Sequence, residues 1–179
     1  MIKTKTDLKY YLEQDAKALL LEDVRFIKKL KDPIYRYERL LRKCEYYRNT
    51  SKVNPYLNPL YLYNKIKFRK LGFRLGFSIS ENSFGPGLSI AHYGSIIVNS
   101  NVKVGKNCRI HSGVNIGADK NANDVLSIGN NVYIGPGAKI FGNIEIGDNT
   151  KIGANAVVNK SFEGGGTLIG IPAKPISSK

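Results

Sequence analysis

Along the second half of the chain an aliphatic side chain returns every six residues. The main series is Val98, Val104, Ile110, Ile116, then Ile128, Ile134, Ile140, Ile146, Ile152 and Val158. A shorter series, Phe84, Ile90 and Ile96, precedes it with an offset of two residues. Glycine follows the aliphatic at Val104, Ile116, Ile128, Ile134, Ile146 and Ile152, and small or branched residues such as Val114, Val132, Ala138, Ile144 and Ala156 stand four positions on. Strands alternate every two residues and helices return every 3.6, so six is the period of neither alone. It fits short strands joined by tight corners, with Gly and Asn where a corner needs unusual backbone angles. Three such sides close a triangular coil of about eighteen residues, and coils stack at the ~4.8 Å strand spacing over one aliphatic column. The repeat has room for roughly five coils. A β-sandwich with glycine-rich turns also uses short strands, but the ten main positions keep one register, which argues against it.

Residues 1–76 carry a helical pattern instead. Leu8, Tyr11, Leu12, Leu19 and Leu20 recur at helical spacing. Asp32 followed by Pro33 is a helix start, a capping carboxylate before a proline at the first helical position. Ile34, Tyr37, Leu41, Cys44 and Tyr47 then form one apolar stripe. Residues 49–59 read as a connection, and a third short helix is expected over residues 60–71. No glycine precedes Gly72. The expected organisation is an α-helical subdomain over 1–76 and a mainly β coil over 77–179.

Of the 179 residues 42% are hydrophobic, enough for a packed core, which excludes wholesale disorder. The longest apolar run, residues 18–21, is too short to cross a membrane. The N-terminus leads into a charged segment, with no apolar stretch of the secretory kind. Cys44 and Cys108 form neither a disulfide framework nor a zinc pattern, which points to reducing, cytoplasmic surroundings. The net charge of +14 is uneven: residues 1–76 hold 19 Lys/Arg against 8 Asp/Glu, the remainder 9 against 6. Such a basic half favours an anionic partner. No helix-turn-helix spacing, RNP motif or zinc pattern supports nucleic acid. The basic helices therefore read first as an oligomer interface and second as a face near an anionic inner membrane leaflet.

Two stretches carry a family resemblance. The run from Ile134, Ile-Gly-Pro-Gly-Ala-Lys-Ile-Phe-Gly-Asn-Ile-Glu-Ile-Gly-Asp-Asn, and the tail Gly170-Ile-Pro-Ala-Lys174 resemble the hexapeptide-repeat acyltransferases. The run from Phe84, Phe-Gly-Pro-Gly-Leu-Ser-Ile-Ala-His-Tyr-Gly-Ser-Ile-Ile-Val, is similar to the catalytic-histidine segment of serine acetyltransferases and of capsule and lipopolysaccharide O-acetyltransferases. The likeness covers residues 72–176 strongly and 1–71 loosely. It implies a left-handed parallel β-helix, against the usual right-handed crossover. It also implies acetyl-CoA as co-substrate and homotrimers whose catalytic sites lie between adjacent β-helices.

Acetyl transfer from a thioester to a hydroxyl needs a base near the operating pH, and imidazole suits that task. The acceptor itself is the nucleophile, so no covalent enzyme intermediate is required. Of the two histidines, His92 interrupts the repeat beside its register break and matches the family's catalytic base. His111 follows Ile110 within the repeat and reads as structural. No three-ligand metal cluster is expected. In the serine enzymes an Asp fifteen residues earlier orients the base; that position is Phe77 here, and Glu81 is a candidate replacement. Tyr93, Glu81 and Asp124 are the acceptor-side candidates. Residues 117–127 read as a polar loop extruded from the coil. The family's loop Arg-His pair is replaced by Asp124 and Val125, and its acidic residue before the base by Ala91. The resemblance assigns coenzyme A to Gly135, Pro136, Ala154, Lys160 and Lys174. The altered acceptor positions lead to a sugar hydroxyl of a surface polysaccharide as the expected acceptor. L-serine is the alternative, and a non-enzymatic β-helix scaffold the second alternative.

Overall fold

The structure, a computed structural model, describes residues 1–51, 53–117 and 125–176. The chain opens with helix α1 (Lys5–Ala18), whose Thr4 and Asp7 form a reciprocal capping box. A short α2 (Phe26–Lys29) leads to α3 (Pro33–Thr50), where Asp32 Oδ1 accepts from the N–H groups of Ile34 and Tyr35 at 2.7 and 3.0 Å. This is the start expected from Asp32 and Pro33. Helix α4 (Pro59–Leu75) is longer than the sequence reading at both ends. Asn58 caps its start, and Gly76, in the left-handed region at φ 80°, closes it.

Beyond Gly76 the chain winds through three stacked faces. The first holds Phe77–Ile79, Ile96–Val98, Asn115–Gly117, Lys139–Phe141 and Val157–Val158, all parallel. The second holds Val102–Val104, Leu126–Ile128 and Glu145–Ile146, extended at its ends by single bridges from Phe84 and Phe162. The third holds Ser89–Ile90, Arg109–Ile110, Tyr133–Ile134, Lys151–Ile152 and Thr167–Gly170. Five strands on the first face mean five coils, as the six-residue period implies. Ile110, Ile134 and Ile152 stack in register with essentially no exposure, so the sequence repeat is the core.

The corner between the second and third faces explains an Asn pattern. Asn107, Asn131 and Asn149 all adopt left-handed angles, φ 55–57°, which Asn tolerates. Their side chains form an amide ladder, Asn107 to Asn131 at 3.0 Å and Asn131 to Asn149 at 3.1 Å. At the far end, Ala173–Ile176 folds back antiparallel on Thr167–Gly170 and covers that edge.

At the opening end the first coil has no earlier coil to pair with, and buried charges from α1 and α3 stand in its place. Asp15 Oδ1 accepts from Gly87 and Leu88 N–H, both at 2.9 Å. Glu38 Oε1 accepts from Ile90 N–H at 3.0 Å, and Glu45 Oε1 from Asn82 N–H at 2.8 Å. Arg42 donates to Asp15, to Glu45 and to the Phe84 and Gly85 carbonyls at 2.7–3.2 Å, using its whole guanidinium. Burial pushes the Glu38 carboxyl well up, and the nearby Asp15 charge adds to the shift. Replacing Arg42 with Ala leaves Asp15 and Glu45 buried without their cation. Urea unfolding is expected to show a loss of about 3–5 kcal/mol.

Candidate active site

The register of the third and first faces locates an insertion. Ile90 pairs with Ile110, and Val98 with Ile116, which sets Ile96 beside Val114. Five residues therefore separate Ile90 from Ile96, where three separate Ile110 from Val114. The closing hydrogen bond runs from Gly113 N–H to the Ser95 carbonyl at 2.7 Å, and a Cβ on Gly94 would meet Ser112. Gly94 and Ser95 thus overlie Ser112 and Gly113, and the two extra residues are His92 and Tyr93. The two-residue offset in the hydrophobic series is this bulge. It lifts both side chains clear of the coil, and Tyr93 is 70% exposed.

Helix α4 fixes the bulge from below. Gly94 N–H donates to the Leu75 carbonyl at 2.8 Å and Ile96 N–H to the Gly76 carbonyl at 2.9 Å. Gly76 approaches so closely that a Cβ there would lie 2.9 Å from the Gly94 carbonyl. The glycine that ends the helix also admits the corner.

His92 is exposed, and no described residue hydrogen-bonds to it. Its aromatic neighbour is His111, with ring centres 6.0 Å apart, and His111 in turn lies 5.1 Å from Tyr133. His111 Nε2 is buried with no partner. Burial, then the Arg109 charge and His92, hold the His111 imidazole below its ordinary value. Arg109 donates to Ser89 Oγ at 2.9 Å and, with Lys17, Ser89 and Asn107, lines a groove of about 470 Å³ against the end of α1, which neither His92 nor His111 lines. A larger cleft, about 670 Å³, lies between α1 and α3 and contains none of the candidate residues.

The expected site residues separate into groups. Gly135, Pro136 and Ala154 fall on the same corner as His92, because Ile134 pairs with Ile152 and Gly137 N–H bonds back to Ser112. Pro136 and Ala154 are exposed and small, and rise above His92 by two and three coils, about 10 and 14 Å. Lys174 continues that edge: it pairs with Ile169, whose side chain overlies Gly153. Lys160 does not join them; it lies between Val158 on the first face and Phe162 on the second. Asp124 lies outside the described residues. Ile116 pairs with Ile140, 24 positions on, where Val98 pairs with Ile116 after 18, so six more residues separate the second pair.

Glu81 requires a correction as the partner of His92. Its carboxylate is buried and held by Arg48 and Lys65 at 2.7 Å, with the Tyr61 hydroxyl donating at 3.2 Å, so it ties the helices to the first coil. Phe77 packs its ring on Tyr37, ring centres 5.0 Å apart, inside the core. Among the described residues no group of three His, Cys, Asp or Glu is placed to hold a metal. Sequence reading did not single out Arg109, which shares a strand with Ile110, or the unpaired Nε2 of His111, which directly follows that strand.

A triangular coil with an imidazole raised at the foot of a smooth, small-residue edge is the architecture of the hexapeptide-repeat acyltransferases, to which this chain is similar. A family profile described as bacterial transferase hexapeptide (six repeats) matches residues 127–160. The serine acetyltransferase of Neisseria gonorrhoeae, solved in complex with serine, is 26% identical with a TM-score of 0.72, over 97% of this chain and 70% of that one. The Brucella abortus serine acetyltransferase, solved with coenzyme A, is 26% identical with a TM-score of 0.77, over 96% of this chain and 68% of that one. The soybean enzyme, 23% identical with a TM-score of 0.76 over 96% and 70%, shares the fold. No curated protein matches the sequence. The chain is a left-handed parallel β-helix with an N-terminal helical region, similar to these serine acetyltransferases.

Because its folded value lies below the ordinary 6.5, His111 binds its proton less readily folded than unfolded. Its contribution to stability is thus present above about pH 6.5 and is lost as pH falls through the lower folded value. Histidine NMR titration, assigned with His92→Ala, should place the His111 midpoint below 6.5.

Proposed function

We propose that this protein transfers acetyl from acetyl-CoA to the hydroxyl of L-serine, with His92 as general base. The observation that carries the reading is the two-residue bulge that presents His92 at the foot of the Pro136–Ala154 edge. The likeness to serine acetyltransferases, one solved with serine and one with coenzyme A, supports acceptor and donor and favours L-serine over the sugar expected from the sequence. His92 takes the acceptor's hydroxyl proton as that oxygen attacks the thioester carbonyl, then returns the proton to the departing thiolate. The exposed edge of Pro136 and Ala154 is open to an extended pantetheine arm, with Lys174 further along for phosphate.

Arg109 supplies a positive charge for the acceptor's carboxylate, in place of the Arg-His pair missing at Asp124 and Val125. It faces the same groove as Ser89, three residues before the base. We read the active form as the homotrimer that the resemblance implies, with neighbouring copies meeting along the coil faces. Exposed Phe73 and Ile97 offer apolar area for that contact.

A sugar hydroxyl remains the second reading, favoured by Ala91 and Val125, where the serine enzymes carry an acid and a histidine. Coenzyme A release measured with L-serine and with a panel of glycans separates the two; glycan-only turnover overturns the serine reading. His92→Ala is expected to lower kcat by roughly 10²–10⁴-fold. Arg109→Ala should raise the KM for L-serine by roughly 10–100-fold, the worth of a charge-assisted hydrogen bond, and leave that for acetyl-CoA unchanged.

A further inference from the structure

We infer that His111 is the positioning residue of the base: its Nε2 accepts a hydrogen bond from His92 Nδ1–H and so aims His92 Nε2 at the acceptor. The inference rests on His92 being the base, as proposed above. It answers a gap in the site. An imidazole base needs its second nitrogen held, both to fix the tautomer and to fix the ring. Phe77 is locked in the core, Glu81 is committed to Arg48, Lys65 and Tyr61, and no described residue hydrogen-bonds to His92.

His111 has the complementary defect. Its Nε2 is a buried nitrogen with nothing bonded to it, an arrangement that costs free energy unless a partner arrives. Two rings lie beside it, Tyr133 at 5.1 Å and His92 at 6.0 Å between centres, and of the two His92 lacks a side-chain partner of its own for its second nitrogen. A linear imidazole–imidazole hydrogen bond puts ring centres roughly 5 Å apart. His92 stands on an exposed two-residue bulge, so a rotation of about 1 Å closes the contact; catalytic hydrogen bonds are often long in the unliganded state.

The surroundings keep His111 an acceptor. The groups facing it are Arg109, two residues before it, Tyr133 on the next coil and His92 on the one before. None is a carboxylate, and the Arg109 charge opposes a second proton on the pair. His111 therefore resists taking a second proton and stays available as a neutral acceptor that orients the base.

The test uses the full-length protein and a set of variants. Nitrogen-15 NMR should find His92 protonated at Nδ1 in the wild type and mainly at Nε2 in His111→Ala. In turnover assays His111→Ala should lower kcat by about tenfold or more, with KM for acetyl-CoA unchanged. His111→Gln, which keeps an acceptor at that position, should restore much of the loss. His111→Glu should move the acidic limb of kcat/KM upward by about one unit. Thermal melting of each variant separates these effects from unfolding. If His92→Ala is inactive while His111→Ala keeps wild-type kcat, tautomer and pH profile, the positioning role is wrong and the base assignment stands. If His92→Ala remains active, the base assignment fails first.

Discussion

A parallel β-helix has a raw end, and here that end is closed by charge. The first coil exposes N–H and carbonyl groups that a preceding coil would otherwise pair. Asp15, Glu38 and Glu45 take the donors at Gly87, Leu88, Ile90 and Asn82, while Arg42 takes the Phe84 and Gly85 carbonyls. Burying Asp15, Arg42 and Glu45 together is expensive and is offset by their mutual pairing, while burial drives Glu38, whose Oε2 has no partner, toward its neutral form. Everything above relies on this seal, because each coil templates the next through its edge hydrogen bonds. Glu38, Arg42 and Glu45 recur along α3 beside the apolar stripe of Tyr37, Leu41 and Cys44. One helix thus carries both the hydrophobic and the polar complement to the coil end.

The same helical region shapes the chemistry. Helix α4 ends at Gly76, and the carbonyls of Leu75 and Gly76 grip Gly94 and Ile96. The corner between those anchors carries His92 and Tyr93. A solenoid built only of identical coils would present no such feature, since each corner would match its neighbours. The proposed site lies where the repeat is broken, and the break is held by a part of the chain outside the repeat.

The six-residue period made the fold legible, because inward positions in a coil admit only compact aliphatics, and a pattern set by packing is written directly in residue type. His92 was legible because it stands at the one change of register. The buried seal was not, since Asp15, Glu38, Arg42 and Glu45 look like ordinary surface charges of an amphipathic helix until their partners are placed. Glu81 misled for a similar reason: its nearness in sequence to the base says nothing of the Arg48 and Lys65 that claim it from distant helices. Lys160 was placed by likeness to a relative, and the coil arithmetic sets it on another corner. The acceptor is the least legible part, because it depends on side chains that several segments deliver to one place.

The bulge at His92 also bears on how such proteins diversify. The bend at His92 is two residues longer than the one stacked on it, yet Ile90 still meets Ile110 and Val98 still meets Ile116. Bends absorb length changes that would wreck a strand. The stacked interior can therefore stay constant across lineages while the bends lengthen, shorten and trade residues, so new substrates are reached by editing loops of a few residues without renegotiating the core.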